Sequence, residues 1–337
     1  MGTIWGRMTK QKRQKLGGQI FTLTHEGMPI RYGLWRGRLG QHPLIVVLPG
    51  FSEFIEKYDH VLARITKQGY DAVIIDWPGQ GLSGRFVVDA GGGSAPVHAE
   101  SFDFHLACLF AVLARVCEKT KQNKQRPLIL LGHSMGAHLA LRACAVLNEE
   151  AKIVRGVVAV APMIMPPLQR FVPIWLLLAV LWLATRIPAL ARSRIPWRGQ
   201  APRDYEADHG GGRDFTPDNP LTRHPAGFAH HPNMWQKYPA TKTYGATFGW
   251  AYAAYASCVA TTARQKWLGR LTTPILAHLP CDERIVAGAY QEWAARHLPR
   301  CRVVAYPHAR HELLLELPEV RERVWRETWK FIAGVGR

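Results

Sequence analysis

The stretch LILLGHSMGAHLALR, Leu128 to Arg142, runs from four apolar residues through a glycine-flanked serine into small, helix-compatible residues. Residues 128–131 predict a short buried strand and residues 135–148 a helix. Gly132-His133-Ser134-Met135-Gly136 fits G-x-S-x-G. Between a strand and a helix, that pattern marks a strained turn that lifts the serine oxygen above the end of a sheet. Gly136, Ala137 and Ala140 are small enough for strand and helix to pack closely around it. A serine in a turn does no acyl chemistry alone. It needs a base, an acid and an oxyanion site, which the rest of the chain must supply.

The flanking chain repeats the rhythm. Residues 19–36 alternate around Gly27 and predict a β-hairpin. Short apolar strands are expected at 44–48, 72–76, 154–162, 274–279 and 302–306. Helical spacing covers 53–68, 101–118 (with Ser101 as N-cap), 286–297 and 318–333. Such alternation predicts an α/β fold, a mostly parallel central sheet flanked by helices. Between Pro162 and residue 268 the rhythm breaks into a segment rich in Pro, Trp, His and Arg. The expected organisation is a core, 1–162 and 268–337, carrying a largely helical insertion, 163–267.

Reactive groups in a doubly wound sheet gather at the carboxyl ends of the strands. RVVAYPHARHELLLELPE offers His308 and His311 as bases after the last strand. LPCDERIV offers Asp282 and Glu283 as acids after the preceding one. The oxyanion donors expected are the backbone N–H of Met135, directly after the serine, and that of Phe51 in LPGFSEF. GQGLSG, 79–84, is a literal G-x-G-x-x-G but does not open into a helix, which dinucleotide binding requires. His209, His224 and His230-His231 lack zinc-site spacing. No metal or cofactor is expected.

The combination of LPGFSEFIEKY, DWPGQGLSGR, GHSMGAHLALR, NPLTRHP and RHELLLE resembles the α/β-hydrolase family, in particular bacterial lysophospholipases of the L2 type and monoacylglycerol lipases. These motifs span about residues 44–320. The resemblance implies Ser134 as nucleophile, His311 rather than His308 as base, and a lid in the insertion. For the acid, it places a carboxylate just before an Arg-apolar-Val run, which favours Glu283 over the alternative Asp282. The chain departs from the family's usual His-Gly at the oxyanion loop, having Pro49-Gly50.

Composition limits the partners. The 337 residues are 47% hydrophobic and 20% charged, ordinary for a globular protein with a large core. The formal charge of +18 attracts polyanions, but no nucleic-acid motif accompanies it. The six cysteines form no CxxC pair, so reduced thiols are expected. The N-terminus is basic (Arg7, Lys10, Lys12, Arg13, Lys15) without a secretory apolar core. Inside the insertion, FVPIWLLLAVLWLA, 171–184, is shorter than the roughly 20 residues of a membrane span. It reads as a buried cap helix or an interfacial segment. Arg186, Arg192, Arg194, Arg198 and Arg203 follow without an acid. Trp175, Leu178, Trp182, Arg186, Arg192 and Arg194 are therefore expected to face substrate or membrane.

The expectation is a cytoplasmic serine hydrolase, peripheral at the inner membrane surface, that cleaves a lipid ester. The alternatives are a short-chain carboxylesterase, an aminopeptidase using Asp204, Glu206, Asp208, Asp214 and Asp218, or a non-catalytic lipid binder on the same fold.

Overall fold

The computed structural model describes residues 17–38, 43–87, 95–118, 126–150, 152–168, 172–196 and 215–335. The basic N-terminal residues, Arg198, Arg203, His209 and the acids 204–214 lie outside them. Eight strands form one sheet in the order β1-β2-β4-β3-β6-β7-β9-β10. These are β1 Gln19–His25, β2 Met28–Trp35, β3 Leu44–Leu48, β4 Ala72–Ile75, β6 Leu128–His133, β7 Val154–Val160, β9 Ile275–Pro280 and β10 Cys301–Tyr306. The first hairpin is antiparallel and β2 joins β4 antiparallel. Every later pair in the sheet is parallel.

The central strands are continuous apolar runs because both faces are covered. Successive side chains point to opposite faces, and β3 shows the result. Ile45 and Val47 join one apolar cluster with Val61, Leu62 and Ile65 of helix α1 (Asp59–Lys67) and Val324, Trp325 and Ile332 of the last helix, Pro318–Val335. Leu44, Val46 and Leu48 join another with α2 (Phe102–Glu118) and α3 (Met135–Glu150). Ser101 Oγ accepts the Phe104 N–H at 3.1 Å, the cap expected of α2.

The segment expected as an insertion, 163–267, lies between β7 and β9. Its described helices are α4 Ile174–Thr185, α5 Pro188–Arg192, α6 Pro225–Lys237, α7 Phe248–Ala260 and α8 Gln265–Leu268. It also holds a strand with no alternating pattern of its own, β8 Thr243–Ala246, which pairs in parallel with β5 Ala95–Val97 of the core. Polar bonds extend this stitch. Thr247 N–H donates to Val97 O at 3.0 Å, and His98 Nδ1 lies 2.9 Å from Thr247 Oγ1. Deeper in, His138 of α3 lies 2.6 Å from Ser257 Oγ and 2.9 Å from Thr262 Oγ1. Cys108, Cys144 and Cys258 are buried free thiols, and Cys281 is exposed.

Candidate active site

Ser134 sits between β6 and α3 with φ of 53°, a left-handed conformation costly for a residue with a Cβ. Neighbouring backbone holds it there. Its N–H donates to Val160 O and its carbonyl accepts from Met163 N–H, each at 3.0 Å. The flanking glycines are steric necessities. A Cβ on Gly132 would come within 2.4 Å of Gly136 O, and one on Gly136 within 1.9 Å of Leu48 O. The turn is thus pressed directly against the loop after β3, which carries Phe51. Met135 opens α3, so its N–H lacks an intrahelical acceptor. Among the described residues neither it nor the Phe51 N–H meets a protein acceptor. The Phe51 ring packs on Trp250 of α7, centroids 4.4 Å apart. Ser134 is only 6% exposed.

His311 lies in the loop after β10 and Glu283 in the loop after β9. Nδ1 of His311 is 2.8 Å from Glu283 Oε2 and 3.0 Å from Oε1, with both side chains buried. The Ile285 N–H donates to the same carboxylate at 2.8 Å, and Gln291 Nε2 at 3.3 Å. Burial alone would raise the Glu283 carboxyl, but the His311 imidazole and the N–H donors outweigh it and hold the group below its usual range. Asp282 points elsewhere. Arg284 Nε binds it at 2.7 Å and Arg310 Nε at 3.3 Å. His308 is exposed. Among the described residues, the Ser134 hydroxyl and His311 Nε2 make no hydrogen bond to each other. Such links are often loose in the absence of substrate.

Beneath the turn lies a buried ionic network that reading the sequence did not single out. Lys57 Nζ bridges Glu53 and Glu312, at 2.8 Å from the latter. Tyr58 OH donates to Glu53 at 2.5 Å. His133 Nδ1 lies 3.3 Å from Glu53, and its Nε2 lies 3.3 Å from the His311 carbonyl. One cluster therefore joins the loop after β3, the serine turn and the loop after β10. Burial opposes every charge in it, yet the groups of opposite charge sustain one another. Lys57 and His133 hold Glu53 well below the usual carboxylate range, and the two carboxylates raise both Lys57 and His133. Removing one member of such a group typically costs about 3–5 kcal/mol, because it strands a buried charge. The available signal was FSEFIEKY itself, whose three charges sit inside an apolar run.

The insertion residues divide. Trp175, Trp182, Arg186 and Arg192 are exposed, and Leu178 is half-buried against the core. The Arg186 guanidinium lies over the Trp182 ring at 4.5 Å. Arg194 instead turns onto Tyr244 at 5.1 Å. Trp175, Leu178, Trp182, Tyr252 and Val259 line an open groove of about 620 Å³ between α4 and α7, with Arg264 at its edge. No helix among the described residues is long and apolar enough to cross a membrane. The turn GQGLSG, 79–84, contains no helix.

Comparison with known proteins identifies the family and the fold. Residues 41–318 match the family described as serine aminopeptidase, S33. A probable lysophospholipase L2 of Haemophilus influenzae is 24% identical over 290 residues, 86% of this chain and 83% of that protein. A soluble variant of monoglyceride lipase from Saccharomyces cerevisiae shares the fold with a TM-score of 0.68 at 18% identity, covering 97% of this chain and 98% of that one. A carboxyl esterase from Bacillus coagulans gives 0.69 at 17%, covering 95% and 99%. The sheet and its flanking helices are thus those of an α/β-hydrolase.

Proposed function

The chain belongs to the serine aminopeptidase S33 family of α/β-hydrolases, and from that premise we propose that it cleaves a fatty-acyl ester of a lysophospholipid or monoacylglycerol through Ser134. The observation that carries the reading is the buried Glu283–His311 pair, on loops at the same strand ends as the strained Ser134 turn. In the proposed reaction, His311 takes the Ser134 proton as Oγ attacks the ester carbonyl. Glu283 stays ionised, holds the imidazole tautomer and stabilises the imidazolium. The N–H groups of Phe51 and Met135 receive the oxyanion. The leaving alcohol takes the proton from His311. A water, deprotonated in turn by His311, then releases the fatty acid.

The insertion supports the lipid. Residues 163–267 are proposed as a lid, with α4 as its membrane-facing edge. Trp175 is 68% exposed and Leu183 62%, and an apolar surface of this kind beside arginines suits an anionic lipid interface. The relative from Haemophilus carries a lysophospholipase name, which agrees. An aminopeptidase is favoured by the family description. It would want free carboxylates near the site for a substrate amine, and Asp218, the one described member of that acidic set, is held by Arg284 at 2.5 Å.

The test is fatty-acid release by wild type and Ser134→Ala on lysophospholipid, monoacylglycerol and a short-chain ester, with an aminoacyl anilide alongside. Release from a long-chain ester that falls at least about 10⁴-fold in the variant is expected. Cleavage of the anilide alone would overturn the lipid reading. Unchanged release in the variant would overturn the role of Ser134.

A further inference from the structure

Away from the serine, α1 of the core meets α6 of the insertion, and three side chains converge there. Asp59 Oδ1 lies 3.6 Å from His60 Nδ1 and 3.9 Å from His230 Nε2. One ligand atom from each of the three falls within 4.8 Å of the others. The two rings meet edge to face, centroids 5.0 Å apart. We propose that Asp59, His60 and His230 bind a divalent transition-metal ion that clamps the insertion to the core.

Two features set this cluster apart from an ordinary polar contact. Both ring nitrogens of His60 are shut off from solvent and have no hydrogen-bond partner. Buried polar atoms are nearly always paired, and an unpaired one calls for an unseen partner such as a water or an ion. The second feature is charge. Among the described residues, Asp59 meets no Lys or Arg, and its ion-pair partners are the two imidazoles. The neighbouring group Glu53–His133–Glu312 has a similar donor set, but there the Lys57 ammonium already supplies the cation.

The chemistry of the donors selects the ion. Two imidazoles and one carboxylate suit zinc and its first-row neighbours rather than magnesium or calcium. Zinc bonds of about 2.0–2.2 Å in a tetrahedron separate ligand atoms by roughly 3.3–3.5 Å. The observed 3.6 and 3.9 Å lie within about 0.6 Å of that spacing, and the two imidazole nitrogens, within 4.8 Å of each other, would have to draw together as the ion binds. Water would complete the tetrahedron. To coordinate through Nε2, His230 must give up its present bond to Lys57 O, 2.9 Å away. Lys57 belongs to the network under the serine turn, so the clamp adjoins the site without forming part of it.

The experiment uses the full chain, stripped with chelator, and Zn²⁺ as the probe. Calorimetry should give one site, and Zn²⁺ at about 100 times its Kd should raise the Tm by about 4 °C. His60→Ala and His230→Ala should each weaken binding at least about tenfold, as loss of a ligand requires. His297→Ala, remote from the cluster, serves as the control and should bind as wild type does. Co²⁺ in wild type should show a visible band that the His60 variant lacks, which keeps the test valid if a His230 variant misfolds. No stoichiometric binding to wild type, or a site that survives in the His60 variant, overturns the proposal. In either case a water is left as the partner of His60.

Discussion

Helices α4 and α7 lie side by side in the insertion, 12 and 13 residues long and both free of charged residues. They treat water oppositely. Helix α7 buries Gly249, Trp250, Ala251, Ala253, Ala254, Tyr255, Ser257 and Cys258. Its small residues let it approach α2 and α3 closely. Helix α4 buries only Leu181 and Ala184. Of the eleven large hydrophobics exposed among the described residues, nine fall between Leu168 and Leu190. At about 25 cal/mol per Å² of apolar surface, a fold gains nothing by leaving that patch in water. The inner helix completes a core, and the outer one leaves most of its apolar surface uncovered by the described residues.

The strongest test of this division separates chemistry from attachment. Glu283→Gln should lower kcat by about 10³–10⁴ while leaving association with anionic vesicles unchanged, and Asp282→Asn should stay within about threefold. A joint loss of turnover and vesicle binding would break the comparison. Next in size, Trp175→Ser combined with Leu183→Asp should weaken vesicle binding by about 10²-fold, from burial worth about 1.5–3 kcal/mol per side chain. The same variant should turn over a short soluble ester at the wild-type rate. Vesicle flotation and a colorimetric ester assay read the two effects.

The smallest effect, taken per residue, concerns three buried histidines of the core, His105, His138 and His278. Burial lowers His278 to about 3 and His105 to about 4, and burial together with Arg142 holds His138 well below its usual value. Above about pH 6.5 these groups are neutral whether folded or unfolded, and their full contribution to stability is present. As pH falls below that, the unfolded chain takes up protons that the folded one refuses. Each histidine then removes about 1.4 kcal/mol per pH unit until its folded pKa is reached. Urea midpoints should fall steadily from pH 7 to pH 5. His278→Gln should flatten the slope, and a slope unchanged by that substitution would count against this histidine.

Much of the fold was legible because local rules and tertiary structure agree. The strands Leu44–Leu48 and Ala72–Ile75 are unbroken apolar runs, and the Ser134 turn announces itself through two glycines that no other residue can replace. The strand Thr243–Ala246 was not legible. Its four residues owe their conformation to pairing with Ala95–Val97, far away in sequence. The choice between Asp282 and Glu283 was open for a similar reason. Adjacent carboxylates look alike until Arg284 and Arg310 claim one and His311 faces the other. The network around Lys57 lay furthest from view, since the Lys57–Glu312 bond spans 255 residues and no local pattern reports it. Arg194 shows the limit of reading a charge run as one surface, because it folds back onto Tyr244 while Arg192 stays outside.

The β5–β8 pairing has a mechanical consequence. With Thr243–Ala246 hydrogen-bonded into a core strand, and Ser257 and Thr262 bonded to His138, the insertion is fixed along its inner side like a plate clamped at one edge. Swinging it away whole would break all of those bonds together. Displacing Ile174–Leu190 breaks none of them and disturbs only the burial of Leu181 and Ala184 and the half-buried Ile174, Leu177 and Leu178. The softest deformation of the molecule is thus a flexing of its free rim, and that rim carries the most apolar surface.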